Sequence, residues 1–210
     1  MTRPAPVTPQ TVAVIGAGVI GRTLATRWSK AGHTVVFGVR RPEDPSLVEF
    51  AAEITADVGT IDAALAAAET VLFAVDGAAM ETVTATVGAA LDGKTVIDAT
   101  NNLGRQPLNS IAALTAQAPT AQIYRAFNSL GWENFADPEY GDLTGDLLYS
   151  GPVGSSQQIV ETLISDTGLR PIWLGDNDKA HICDTITELW FTLAFERKYG
   201  RGVGIKILTR

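Results

Sequence analysis

The stretch TVAVIGAGVIGRTLATRW, residues 11–28, constrains the fold more than any other part of the chain. An apolar, β-branched run ends at Gly16, and Gly16, Gly18 and Gly21 form a G-x-G-x-x-G that opens into a helical period. Each glycine has a mechanical reason in that setting. Gly16 permits a tight turn, Gly18 lets the backbone approach a diphosphate without a Cβ clash, and Gly21 lets helix and strand pack closely. The helix mouth over Gly16, Ala17, Gly18, Val19, Ile20 and Gly21 then offers unpaired N–H groups and positive potential to phosphates. A glycine triplet alone is weak, but this one joins the first strand to the first helix of a crossover, the context a dinucleotide site requires.

The alternation continues along the chain. Apolar runs suited to buried strands fall at residues 11–15, 33–37, weakly near Val58, then at 70–75, 95–98 and 122–127. Helical periods lie between them, with readable ends: Gly32 is a left-handed stop for the first helix, and Asp44 before Pro45 is a cap and first-turn pair for the second. Shorter helices are expected near 61–68 and 80–91. Strand-helix-strand units at about thirty-residue spacing predict an α/β fold, a Rossmann-type doubly wound and mainly parallel sheet. Beyond Asn128 a turn-rich loop leads to a strand LLYSG, a helix over 155–166, a strand RPIWLG and a long helix over about 178–198. These strands are expected to extend the sheet, and the last helix to form a short C-terminal extension. Ile182, Ile186, Leu189 and Leu193 read as its buried stripe.

Cofactor preference is read at the end of the second strand. NAD sites place an acidic residue there for the ribose 2′-hydroxyl, whereas this stretch is FGVRRPED, with Arg40 and Arg41 and no carboxylate at the strand end. Guanidinium groups grip a 2′-phosphate that a carboxylate would repel, so NADP(H) is the expected cofactor. The plain alternative is that Arg40 and Arg41 pair with Glu43 or Asp44, and Glu43 remains a candidate ribose acid. Arg22 reads as a weaker phosphate candidate, more simply a solvated helix residue. Ligands of such sheets lie off the carboxyl ends of the strands. That rule nominates Ala74, Val75 and Asp76, then Thr100 and Asn101, then Asn128 and Ser129, chiefly for backbone contacts to the nicotinamide end.

Composition narrows the partners. A net charge of −7 repels polyanions, so nucleic acid is not expected. No apolar run reaches membrane-spanning length, and the opening MTRPAPVTPQ lacks a secretion-signal pattern, so no membrane and a cytoplasmic location are expected. The single cysteine, Cys183, excludes an internal disulfide and a thiolate metal cluster. His33 at a helix-strand junction reads as structural. Lys179, His181, Cys183, Asp184 and Glu188 match no metal spacing and read as surface and packing, so no metal site is expected and no catalytic side chain is assigned. The chain divides into a flexible tail over 1–10, an NADP-binding Rossmann domain over 11–176 and a C-terminal helix and tail over 177–210.

The segments GAGVIG, HTVVFGVRRP, VIDATNNLG and RAFNSLGWENF together resemble the coenzyme F420-dependent NADP oxidoreductase family and its wider group of dinucleotide-binding reductases, over nearly the whole chain from Thr11. In that family a serine-arginine pair receives the NADP 2′-phosphate; here Val39 stands at the serine position and Arg40 is kept. The resemblance implies hydride transfer between the nicotinamide and a deazaflavin, coenzyme F420, as co-substrate. Such a step rests on positioning two rings and needs no acid-base pair. A quinone, flavin or small carbonyl acceptor is the alternative enzyme reading, and a non-catalytic NADP-binding sensor a third. Relatives acting on hydroxy acids or imines add a large helical domain, whereas only some 35 residues follow Gly175 here. A homodimer is therefore expected, with Trp190, Phe191 and Phe195 of the last helix completing the acceptor pocket. The basic tail, with Arg197, Lys198, Arg201, Lys206 and Arg210, either meets an anionic acceptor or is solvated.

Overall fold

The computed structural model describes residues 9–210, so most of the tail expected over 1–10 lies outside the described residues. The chain runs β1 Thr11–Ile15, α1 Val19–Ala31, β2 Thr34–Gly38, α2 Pro45–Glu53, β3 Asp57–Gly59, α3 Ile61–Ala67 and β4 Thr70–Phe73. It continues with α4 Met80–Val87, β5 Thr95–Asp98, α5 Ile111–Gln117, β6 Gln122–Arg125 and α6 Trp132–Ala136. The last part comprises a hairpin of β7 Glu139–Tyr140 and β8 Leu143–Thr144, then β9 Asp146–Tyr149, α7 Ser155–Ser165, β10 Arg170–Trp173 and α8 Ala180–Phe191.

Six parallel strands form one sheet in the order β3-β2-β1-β4-β5-β6. This is the doubly wound order of dinucleotide-binding folds, whose direction reverses between β1 and β4. Side chains alternate between two apolar layers. Val12 and Val14 of β1 join Leu24, Trp28, Phe127 and Leu163 on one face, while Ala13 and Ile15 join Leu65, Phe73, Met80 and Leu114 on the other. Both faces are covered, which is why the strands read as continuous apolar runs. Trp28 anchors the first layer: it is fully buried, its Nε1 donates to the Leu163 carbonyl at 2.8 Å, and Phe127 packs on it edge-on.

The local helix signals act as read. Gly32 closes α1 at φ 96°, with its N–H on Ser29 and Trp28 carbonyls, and the Asp44 carboxylate accepts from the Ser46 amide at the start of α2. The second half departs from the sequence reading in two places. First, β9 and β10 pair with each other and join the main sheet only by an antiparallel bridge from Ser150 to Arg125. Gly151, at φ 153°, turns the chain away after Ser150, and a side chain there would meet the Tyr124 ring 2.2 Å from its Cβ.

Second, α8 is rotated relative to its apolar stripe. Ala180, Cys183, Asp184, Thr187 and Trp190 face inward, and Leu189 of the expected buried stripe is 46% exposed. The reason is a buried cation. Arg125 of β6 is fully buried, and its Nε and Nη2 donate to Asp184 at 3.0 and 2.8 Å. Leaving a buried guanidinium unpaired costs about 3–5 kcal/mol, more than the roughly 1.5–3 kcal/mol of leaving one leucine exposed. Helix α8 therefore turns its carboxylate inward. A π-helical turn, Thr192–Glu196, follows, and the tail then packs back on the body: Trp190 Nε1 donates to the Val203 carbonyl and the Asp146 amide to the Ile205 carbonyl.

Candidate functional site

Where the strand order reverses, the β1-α1 loop, the end of β2 and the turn after β4 enclose a cleft of about 640 Å³. The three glycines play separate parts around it. Gly16 adopts φ 101°, and a Cβ there would stand 2.6 Å from the Ala74 carbonyl oxygen. A Cβ on Gly21 would stand 2.3 Å from the Gly16 carbonyl oxygen, so α1 could not sit this close to the loop. Around Gly18 there is nothing within 4 Å, and no side chain caps the N-terminus of α1. Two glycines thus permit the packing, and the third keeps the helix mouth open to a ligand.

The cleft brings together Gly16, Ala17, Arg40, Arg41 and Val75 of the sequence-nominated residues, with Asp76. Among the described residues no carboxylate lies within ion-pairing distance of Arg40 or Arg41. Asp44 is used instead as the α2 cap. Its pKa is lowered, by the Ser46 hydrogen bonds foremost, with Arg41 a smaller influence. Both arginines are exposed, so their guanidinium groups are available at the end of β2. An apolar wall of Ile61, Val75, Ala79 and Val83 faces them, a surface suited to a flat heterocycle.

Arg22, expected as a solvated helix residue, is placed differently. It is half-buried rather than solvated: its Nε donates to the Ala17 carbonyl at 3.0 Å, and its guanidinium lies over the Phe50 ring at 4.7 Å. It lines the same cleft as Arg40 and Arg41.

The other nominated residues lie off that cleft. Gly18, Val19 and Ile20 form the start of α1, and Ala74 donates its N–H to the Ile15 carbonyl at 2.9 Å. Thr100, Asn101 and Asn128 sit at the ends of β5 and β6, where their side chains are committed inward. Thr100 Oγ1 donates to Asp98 at 2.6 Å, Asn101 bridges Arg125 Nη2 and the Asn128 carbonyl at 2.8 Å each, and Asn128 Nδ2 donates to the Cys183 carbonyl and to Thr187. Ser129 is buried beside them. The D-A-T-N and R-A-F-N motifs therefore build one network about Arg125, whose Nη1 also meets the Asp98 carboxylate at 3.3 Å. Phe127 between them holds φ 62°, a rare conformation for a bulky residue.

A second cleft, about 520 Å³, opens next to that network between the loop carrying Leu103, Arg105 and Leu108 and the end of α8, with Glu188, Phe191 and Glu196. A Cβ on Gly77, directly after Asp76 of the first cleft, would stand 2.5 Å from the Asn101-Asn102 backbone, so this loop abuts the edge of the first cleft.

Neither histidine lines these two clefts. His33 Nδ1 accepts from the Gln10 amide and its Nε2 donates to Asp166 at 2.8 Å, clamping the chain entering β1 to the end of α7. His181 is exposed. In the basic tail, Arg201 pairs with Glu133 and stacks on Trp190 and Phe195, and Lys206 pairs with Asp146 at 2.9 Å. Among the described residues there is no group of acidic, histidine or cysteine side chains that would hold a metal, and no helix long and apolar enough to cross a membrane.

Residues 11–102 match the family model described as NADP oxidoreductase, coenzyme F420-dependent. Among solved structures, a candidate F420-dependent NADP reductase from Arthrobacter sp. FB24 superposes with a TM-score of 0.82 at 23% identity, covering 95% of this chain and 100% of its own. A hypothetical protein from Sinorhizobium meliloti follows at 0.69 and 24%, covering 96% of each chain. A reductive aminase from Aspergillus terreus, in complex with NADPH4, cyclohexanone and allyl amine, gives 0.66 at 25%, covering 91% of this chain and only 63% of that enzyme. These likenesses establish the fold along the chain, including the part beyond residue 102.

Proposed function

We propose, on the premise that residues 11–102 carry the nucleotide-binding part of the F420-dependent NADP oxidoreductase family, that this chain is an oxidoreductase holding NADP(H) in the 640 Å³ cleft. One observation carries the reading: Arg40 and Arg41 stand exposed and without a carboxylate partner among the described residues, across from an uncapped glycine loop. In this reading the α1 mouth receives the diphosphate, Arg40 and Arg41 the 2′-phosphate, and Ile61, Val75 and Val83 cover the adenine. Bound NADPH would supply a hydride. Ala74, Thr100, Asn101 and Asn128 form the strand-end floor towards the nicotinamide, acting through backbone atoms and shape. The nearby carboxylates are engaged, Asp76 as a turn cap on Ala78 and Asp98 by Thr100, which suits a reaction whose rate comes from positioning and exclusion of water.

The family resemblance makes coenzyme F420 the first acceptor to test. A second reading, a small carbonyl compound, is favoured by the second cleft. Its lining carries Glu188 and Glu196 with Arg105 as its cation, and Arg201 and Lys206 of the basic tail are already paired. Leu189 on α8 and Phe195 just beyond it, 46% and 47% exposed, support a homodimer that would close this cleft. Mixing the protein with NADPH and F420 or a panel of small ketones and aldehydes, and following nicotinamide absorbance, tests the assignment. Turnover with F420 supports the deazaflavin reading, turnover with a carbonyl alone supports the second, and binding without turnover on any acceptor supports a sensor. Sedimentation at micromolar concentration tests the dimer.

A further inference from the structure

We propose that Arg22 is a third ligand of the 2′-phosphate and sets, with Arg40 and Arg41, the preference for the phosphorylated nucleotide. This rests on the reading of the first cleft as an NADP(H) site. The case begins with how the side chain is used. A guanidinium carries five N–H donors. In Arg22 the Nε donor is well engaged at 3.0 Å with Ala17, but Nη1 and Nη2 reach only the Ser46 carbonyl and hydroxyl, each at 3.5 Å. Those two contacts sit at the outer edge of hydrogen bonding, where attraction is weak. The planar head is held by stacking on Phe50 and by its Nε, and its two terminal amines are left under-used. That is a pre-oriented fork without a proper acceptor.

Its position points to which phosphate it would take. The diphosphate belongs at the N-terminus of α1, over Gly18. The head of Arg22 lies instead against Ser46 in the first turn of α2, whose amide Asp44 holds, and Arg40, Arg41 and Asp44 line the same cleft. A phosphate oxygen at charge-assisted distance, about 2.8 Å, would displace the two long Ser46 contacts while Nε and the Phe50 stack stay in place. Charge agrees with this. In a chain of net charge −7, the cleft lining has three arginines, Arg22, Arg40 and Arg41, against two aspartates, Asp44 and Asp76. Both aspartates already cap turns, through Ser46 and Ala78.

The test is calorimetric titration of NADPH, NADH and adenosine 2′,5′-bisphosphate into wild type, Arg22→Met and Arg22→Lys, with thermal unfolding of each protein. Methionine keeps an apolar stem over Phe50, and lysine keeps the charge but loses the fork. Arg22→Met is expected to weaken NADPH and the bisphosphate about ten- to hundredfold, the worth of one charge-assisted contact, with NADH little changed. Arg22→Lys, which serves equally should the methionine variant fail to fold, is expected to give a smaller loss with the same selectivity. Equal losses for NADPH and NADH would overturn the proposal and make Arg22 a loop tie or a diphosphate ligand. Unchanged NADPH affinity in both variants, with a wild type that prefers NADPH, would overturn it while leaving the NADP reading standing, whereas a wild type without preference removes both.

Discussion

Replacing Asp184 by alanine removes the carboxylate that turns α8 inward, and its cost can be worked from the contacts. The Asp184 carboxylate accepts from Arg125 Nε and Nη2 at 3.0 and 2.8 Å and from the Asn109 side chain at 2.7 Å, and it is 5% exposed. Its loss strands part of a fully buried guanidinium and frees the loop leading into α5. Removing one partner of a buried pair costs about 3–5 kcal/mol, a large share of the roughly 5–15 kcal/mol of a whole domain. For a chain of this size each kcal/mol lowers the melting temperature by about 2–4 °C, so a fall of roughly 6–20 °C is expected. Arg125→Met should cost more, because it leaves Asp98 and Asp184 facing an apolar stem. Denaturant unfolding of both variants and of the Arg125→Met, Asp184→Leu double variant measures this. The double variant should lose less than the sum of the singles. A loss below about 1 kcal/mol for Asp184→Ala, the worth of an exposed pair, would refute the account of why α8 is rotated.

Replacing Arg40 and Arg41 together by alanine should weaken NADPH binding at least about tenfold while leaving NADH nearly unchanged, read by fluorescence titration; equal losses would reject the phosphate assignment. Gly18→Ala should fold normally, since its Cβ meets nothing within 4 Å, yet weaken both nucleotides, whereas Gly21→Ala should also lower the melting temperature because its Cβ meets a carbonyl oxygen at 2.3 Å. Burial raises the Asp146 pKa, but hydrogen bonds from Arg170, the Ile207 amide and Lys206 outweigh it and leave it lowered. A lowered folded value gives stability that is complete above the unfolded carboxylate value, about 3.9, and lost as pH falls through the folded one. The C-terminal tail should therefore resist carboxypeptidase at neutral pH, and Trp190 fluorescence should report its release only in acid. Burial pushes the Cys183 thiol up to about 11, so iodoacetamide at about pH 8 should label unfolded but not native protein.

The features legible in the sequence are those whose cause is local. Gly16 is required by its own φ of 101°, Gly21 by a carbonyl five residues back, Gly32 and Asp44 by the ends of their own helices, and the sheet by runs covered on both faces. Arg40 and Arg41 were readable because they follow directly on β2. What escaped depends on distant pairs. Helix α8 leaves Leu189 of its apolar stripe exposed because Asp184 answers Arg125, 59 residues earlier in the chain. Arg22 became a cleft residue through Phe50 and Ser46 on a different helix. The short α5, capped by no side chain of its own Ser110, had no strong period to announce it. Of the tail, the charges were visible but not the buried Asp146 that receives Lys206.

The most direct measurement of the central claim is a paired calorimetric titration of the wild-type protein with NADPH and NADH in the same buffer. NADPH is expected to bind at one site per chain, at least about tenfold more tightly than NADH. Equal affinities would contradict the role given to Arg40 and Arg41, and the absence of heat with either nucleotide would contradict the site itself.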